Sequence, residues 1–288
     1  DHSLDLPKTL DGGQAFRWQH ANGWWEAPFG RTVVRLRLVG PEEDELEVRQ
    51  DGPGGAVSES DLRRYLGLDE PITASLVALE SSGVPRDELF QAEGVHLLHQ
   101  DPWETLVSFI LSQNSSVPRI RKNVEAIAQL AGEPIGSDES IFHALPEPSV
   151  LADFGEDRLR ELKVGYRAPH LIAAADMVAR RQIDLADLSG EDFDTARQAL
   201  QTIPGVGPKV ADCVLAYALG FHEAFPVDTW IEKAVRRRWP GAAAWTRERI
   251  SEWGRQRFGP NAAYVQLILF HLERRKTLPM VEGLRAST

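Results

Sequence analysis

The sequence predicts an α+β protein, an N-terminal antiparallel sheet with flanking helices followed by an all-helical core. Two observations carry this. Over the first third, short runs of aromatic and β-branched residues are separated by Gly, Pro and Asn turn signals. From about residue 95 onward, helix-start signals and long apolar-periodic segments follow one another with short connections. The length of 288 residues, 42% hydrophobic and 26% charged, is enough to bury a sizeable core and reads as an ordinary soluble globular chain.

In order along the chain, strands are expected at 14–20, 23–28, 32–39 and 45–50. The third alternates apolar and basic residues near its end, as a half-exposed antiparallel strand does. Helices at 58–66 and 72–82 are expected to pack on that sheet. The helical part begins at 102–113, where Asp101 supplies an N-cap and Pro102 the first helical position. Further helices are expected at 117–130, 156–162, 168–181, 193–202, 209–219, 229–239, 246–258 and 262–275. No fixed repeat is present, so the helices form a compact unit rather than a solenoid. The tail after Pro279 is expected to be an irregular return or a frayed end. Three units result: 1–94 (sheet with helices), 95–190 (helical) and 191–288 (helical).

Composition narrows the function classes. The single cysteine, Cys213, excludes an internal disulfide and any Cys-cluster metal site, and fits a reducing, intracellular setting. No apolar run approaches the roughly 18 residues of a membrane span. The start lacks Met, as a processed or trimmed terminus would, and shows no signal pattern. The net charge of −11 argues at first against a nucleic-acid partner. The acidity is uneven, however. Residues 1–93 carry 9 Lys+Arg against 18 Asp+Glu, and residues 94–288 carry 23 against 25. The later part can therefore present a local basic face, with Lys233, Arg236, Arg237 and Arg238 as one candidate. A solvated helix end explains that run equally well.

The most informative stretch is Leu200-Gln-Thr-Ile-Pro204-Gly205-Val206-Gly207-Pro208-Lys209. A helix stops, a Pro/Gly turn follows, and a second helix starts: a helix–hairpin–helix. Its glycines let the backbone approach a phosphate, and the amides opening the second helix can bind that phosphate without many basic side chains. Taken alone, the same turn is also compatible with a plain helix–helix connection or a non-catalytic DNA-binding module. Further on, Phe225-Pro226-Val227-Asp228-Thr229 places an acid at the start of another helix, where a simple N-cap is its commoner role.

With these residues in hand, the chain resembles the helix–hairpin–helix (HhH-GPD) glycosylase superfamily, and within it the 8-oxoguanine DNA glycosylases. The likeness runs through Gly12-Gly-Gln-Ala-Phe-Arg-Trp18, Asp101-Pro102 to Asn114, Gly165-Tyr166-Arg167-Ala168, Val206 to Cys213, Val227-Asp228 and Gln266 to Phe270. It implies a TBP-like sheet domain at 1–94 and a glycosylase core behind it. The middle unit would carry the gap-filling loops, and the last unit the hairpin with Lys209 and Asp228. The implied activity is excision of 8-oxoguanine, with ring-opened purines, opposite cytosine in duplex DNA. β-Elimination from a Schiff base on Lys209 would follow. Asp228 would stabilise positive charge developing on the sugar.

The flipped base would be read by Gly13, Cys213, Gln266 and Phe270. A glycine carbonyl at position 13 would accept the N7 proton that oxidised guanine has and guanine lacks. Asn114, Arg119 and Arg167 would fill the gap and bond the orphaned cytosine, with Tyr166 as the wedge. Pro204, Gly205, Val206 and Gly207 would contact the DNA backbone. Without the resemblance, Cys213 and Phe270 read as core, Gly13 as a bulge glycine, the arginines as phosphate contacts and Tyr166 as packing.

The chain departs from its eukaryotic relatives at Ser115, Ser116 and Trp230, which bears on opposite-base choice and lesion positioning; a prokaryotic source is implied. No cofactor is required, though the resemblance implies Na+, K+ or Ca2+ on hairpin carbonyls around 203–206. The expected partner is double-stranded DNA containing oxidised guanine, with no membrane contact. The chain would act as a monomer in the cytoplasm or nucleoid. Two alternatives are an alkylated-base glycosylase of the same superfamily, which Lys209 argues against, and a damage-binding protein without catalysis. Iron–sulfur relatives need cysteines this chain lacks.

Overall fold

A computed structural model of the chain describes residues 4–41, 44–70, 72–137 and 140–276. The tail expected after Pro279 lies outside the described residues. A short helix, α1 (Leu6–Leu10), opens the chain, capped by Asp5, whose carboxylate accepts from the Lys8 amide. Four strands follow as an antiparallel meander: β1 (Gln19–Ala21), β2 (Trp24–Phe29), β3 (Thr32–Val39) and β4 (Glu45–Asp51). Trp25 pairs with Leu36, and Leu36 with Val48.

Strand alternation sends Ala27, Val34 and Leu36 to one face, where they pack with Leu6, Leu10, Trp18, Leu62 and Leu66 from α1 and α2 (Glu59–Tyr65). The reading of β3 as half-exposed holds only towards its end. Val33 is fully buried, because a second, two-stranded sheet places Ile135 and Phe142 against it. That sheet, β5 (Pro134–Ser137) with β6 (Ser140–His143), is not anticipated by the sequence pattern.

The strand expected at 14–20 forms only at its end. Upstream, the Gln14 side chain replaces ladder bonds: its amide donates to Thr9 and His96 carbonyls, and its oxygen accepts from the Leu98 amide at 2.9 Å. Phe16 then leaves the sheet unit for the main core.

That main core is helical. α3 (Ile72–Ser81) and α4 (Arg86–Leu89) precede α5 (Pro102–Ser112) and α6 (Val117–Ala131). Next come α7 (Pro148–Phe154), α8 (Glu156–Glu161), α9 (Ala168–Ala179) and α10 (Phe193–Gln201). The series ends with α11 (Pro208–Tyr217), α12 (Thr229–Arg238), α13 (Arg247–Phe258) and α14 (Ala262–Arg275). Asp101 caps α5 as expected, accepting from the Glu104 amide at 2.8 Å.

α5 and α11 pack against each other and are buried over most of their surfaces, which their nearly continuous apolar runs require. Arg17 ties the sheet unit to this core. Its guanidinium is 2% exposed and reaches Glu125 at 2.8 Å, Glu104 at 3.4 Å and the His143 carbonyl. Among the described residues, no helix is long and apolar enough to cross a membrane.

Candidate active site

The hairpin joins α10 to α11. Ile203 and Val206 are buried and anchor it, while Pro204 and Gly207 stay exposed. The turn closes through the Val206 amide on the Ile203 carbonyl at 3.0 Å. Gly205 has φ +83°, and a Cβ there would lie 2.3 Å from Cγ of His170 on α9, so only glycine fits both the turn and the neighbour. Gln113, at the end of α5, donates its amide to the Gly205 carbonyl at 3.1 Å. Gly207 brings no side chain to cap α11, so the first-turn amides gain no internal acceptor from it. The Ile203 and Gly205 carbonyls each accept one bond and keep a second lone pair, which fits the cation expected at 203–206.

Lys209 is the second residue of α11, so the hairpin fixes where its side chain starts. The amine is half-buried. It donates to Ser112 Oγ at 3.0 Å and sits 4.6 Å above the centre of the Phe109 ring. Cys213, one turn later on the same face, is 2% exposed, and burial pushes its thiol up to about 12 although the Lys209 amine beside it acts the other way. It therefore stands as a neutral, apolar wall. Asp228 also acts on this thiol. At the head of α12, its Oδ1 accepts from the Trp230 and Ile231 amides, both at 2.9 Å. The N-cap role is thus met, and it leaves the carboxylate close enough to act on the site.

The other expected pocket residues arrive from the two chain ends. Gly13 has φ +89°, and a Cβ there would meet Cε1 of Phe270 at 2.9 Å, so backbone and ring touch across 257 positions. Arg274, one turn beyond Phe270, donates to the Asp11 carbonyl at 2.8 Å and clamps this segment onto α14. Gln266, one turn before Phe270, is 3% exposed, and its Oε1 accepts from the Tyr217 hydroxyl at 2.7 Å. Burial holds that hydroxyl well above its usual range, so it stays a donor. Tyr217 in turn stacks on Phe109 with centroids 5.5 Å apart. Ser112, Phe109 and Tyr217 were not singled out from sequence. Ser112 and Phe109 lie inside a matched stretch, but a serine and an aromatic on an apolar helix carry no signal of their own.

The residues expected to fill the gap assemble at a separate edge. Asn114, with φ +48°, donates to the Tyr166 hydroxyl at 3.0 Å. Tyr166 is 48% exposed, as a wedge must be. Arg119 is exposed and reaches the Lys163 carbonyl at 3.4 Å. Arg167 departs from the exposed loop tip that its Gly-Tyr-Arg run suggests. It is 3% exposed, lies under the Tyr166 ring at 4.6 Å, and donates to the carbonyls of Gln113, Asn114 and Val164.

The basic run on α12 also resolves. Arg236 pairs with Glu232, Arg237 with Glu273, and Arg238 with Glu88 and Glu273, while Lys233 covers the Trp230 ring. Those arginines serve the fold. At the departures, Ser116 precedes α6 without a side-chain cap bond and the Ser115 hydroxyl is buried without a hydrogen-bond partner.

Residues 1–106 match the family described as 8-oxoguanine DNA glycosylase, N-terminal domain. Residues 107–256 match the family described as HhH-GPD superfamily base excision DNA repair protein. A "Probable N-glycosylase/DNA lyase" of Methanothermobacter thermautotrophicus is 36% identical over 220 residues, covering 69% of each chain. "N-glycosylase/DNA lyase OGG1" of Arabidopsis thaliana is 30% identical over 295 residues, covering 96% of this chain and 79% of the relative. The solved 8-oxoguanine glycosylase/lyase of Clostridium acetobutylicum, in complex with duplex DNA containing cytosine opposite 8-oxoguanine, superposes with a TM-score of 0.86. Its identity is 27%, and the match covers 96% of this chain and 93% of that one.

Proposed function

This chain belongs to the HhH-GPD superfamily of base excision DNA repair proteins, and from that premise we propose that it excises 8-oxoguanine and ring-opened purines opposite cytosine in duplex DNA, through a Schiff base on Lys209. It is a DNA glycosylase with lyase activity. The observation that carries the finer reading is the setting of Lys209. Its amine is withdrawn from the surface onto Ser112 and Phe109, beside a neutral thiol and within the influence of Asp228.

The unprotonated amine attacks C1′ of the sugar, and the C1′–N9 bond breaks as the base leaves with a proton. The Asp228 carboxylate offsets the positive charge on the sugar meanwhile. Loss of the ring oxygen from C1′ gives the protonated Schiff base. Removal of a C2′ proton then expels the 3′ phosphate and cuts the strand.

The base enters from the stack, since the sugar carbon is out of reach within a duplex. Cys213 and Phe270 face its two sides, Gln266 reads its pairing edge with a carboxamide already oriented by Tyr217, and the Gly13 carbonyl accepts from N7. Asn114, Arg119 and Tyr166 fill the gap left behind. Arg167 joins them by exchanging carbonyl contacts for cytosine. Pro204 to Gly207 hold the backbone, with Na+, K+ or Ca2+ on the hairpin carbonyls adding positive charge for the phosphate. The chemistry itself calls for no cofactor. The enzyme works as a monomer in the cytoplasm or nucleoid.

The test is covalent trapping. With borohydride and duplex containing 8-oxoguanine opposite cytosine, the protein is expected to form a stable adduct, and Lys209→Gln to lose it. An undiminished adduct in that variant would remove Lys209 from its role. Faster release of 3-methyladenine than of 8-oxoguanine would instead overturn the Gly13 argument and favour the alkylated-base reading.

A further inference from the structure

Away from the lysine, three side chains of metal-ligand type meet from distant parts of the chain. Glu70 comes from the connection between α2 and α3, His99 from the segment leading into α5, and His222 from the loop after α11. His99 Nε2 lies 2.6 Å, and His222 Nε2 3.2 Å, from the same Glu70 Oε1. The three ligand atoms all fall within 4.8 Å of one another. Tyr264, in the first turn of α14, packs its ring against His222 with centroids 6.3 Å apart.

The polar atoms of this cluster are close, and two imidazoles share one carboxylate oxygen. Glu70 Oε2, His99 Nε2, His222 Nε2 and the Tyr264 hydroxyl are all buried; both imidazoles face Glu70 Oε1 at ion-pair distance, while Glu70 Oε2 is left without a well-directed hydrogen bond. With both imidazoles neutral, their lone pairs converge on a carboxylate oxygen, and a cation at the centre would be the partner all three share. The donor set is two imidazole nitrogens and a carboxylate, which suits zinc and its neighbours rather than calcium or magnesium. Ligands at ordinary zinc distances stand about 3.3 Å apart around a tetrahedron, which the His222–Glu70 spacing of 3.2 Å matches, while His99 and Glu70, at 2.6 Å, have to part by under about 1 Å when the ion enters. The side chains of His99, Glu70 and His222 are 15%, 23% and 34% exposed, so the cluster lies near the surface although its ligand atoms are covered.

We propose that Glu70, His99 and His222 bind one divalent ion of the zinc class, with the Tyr264 hydroxyl beside the remaining coordination position. The ion joins the sheet unit, the start of α5 and the loop that runs from α11 towards Asp228. It acts as a clip on the loop that carries Asp228, and it is independent of the catalytic reading above.

The test uses the full chain, stripped with chelator and dialysed. Titration with zinc chloride at pH 7.5 is expected to load one ion per chain, measured by elemental analysis after desalting, and to raise the thermal midpoint. Cobalt(II) in its place is expected to give visible d–d absorption. The double variant His99→Gln, His222→Gln is expected to lose the ion, the absorption and the thermal response together. Should that variant not fold, zinc added to the wild type is expected to shift the Nε2 resonances of His99 and His222 selectively. No bound ion at micromolar zinc overturns the proposal, and so does full stoichiometry in a folded double variant. A cluster that answers to pH but not to zinc is an ion pair, and that also overturns it.

Discussion

Oδ1 of Asp228 accepts two amides at the head of α12, while the same carboxylate acts on the thiol beside Lys209. Substitution can separate these two roles. Asn caps a helix about as well as Asp, so Asp228→Asn should change unfolding free energy by less than about 1 kcal/mol. It removes the anion, however, and single-turnover base release should fall on the order of 10²-fold. Asp228→Ala loses both, with a further loss of about 1 kcal/mol for the missing cap. Denaturant titration and single-turnover kinetics on the two variants check this. Equal rates in wild type and Asp228→Asn would reduce Asp228 to a cap. At this scale the sequence reveals the residues whose context is local. Lys209 follows its turn directly, and Asp228 opens a helix. Ser112 and Phe109, which hold the amine, lie about 100 positions away, and no local pattern marks them.

The hairpin is an element whose backbone geometry does the work. Gly205 combines φ +83° with an imidazole pressed to within 2.3 Å of where a side chain would begin. Gly205→Ala should cost about 1–3 kcal/mol through strain and displacement of His170. It should also weaken binding to undamaged duplex about tenfold, since the turn that presents the phosphate-binding amides is shifted. Adding His170→Ala removes the clash but leaves the strained φ, so part of the stability should return. Thermal unfolding and fluorescence anisotropy with a labelled duplex measure both effects; unchanged binding in Gly205→Ala would take the hairpin out of the DNA contact. Most helices and three of four strands of the first sheet are legible in the sequence because caps and periodicity mark them. Residues 14–18 mislead, because an aromatic-containing run there serves burial of all five side chains without strand pairing. β5 and β6 escape notice because each has only four residues, and Pro134 and Gly136 lie within β5 itself.

Over the whole molecule, a net charge of −11 has to be reconciled with a polyanionic partner. The sequence shows that the acidity is concentrated before residue 94, but not which cations remain available. That depends on pairing, which only the fold decides. Arg17 is buried as a tie between sheet and helices, Arg236, Arg237 and Arg238 are paired with acids, and Arg167 is turned inward onto carbonyls. At the edge carrying Tyr166, the exposed cations include Arg119 and Lys163. On the proposed reading, binding draws heavily on backbone amides at the hairpin, the Tyr166 wedge and the pocket, none of which releases counterions as a lysine–phosphate contact does. Each phosphate neutralised by a side-chain cation contributes about −0.9 to the slope of log K against log salt. With about three or four such contacts, undamaged duplex should bind with a slope near −3. Anisotropy titrations between 50 and 300 mM KCl measure it directly. A slope steeper than about −6 would mean that cations now held in internal ion pairs are surrendered to the DNA, and that the free fold is not the one that binds.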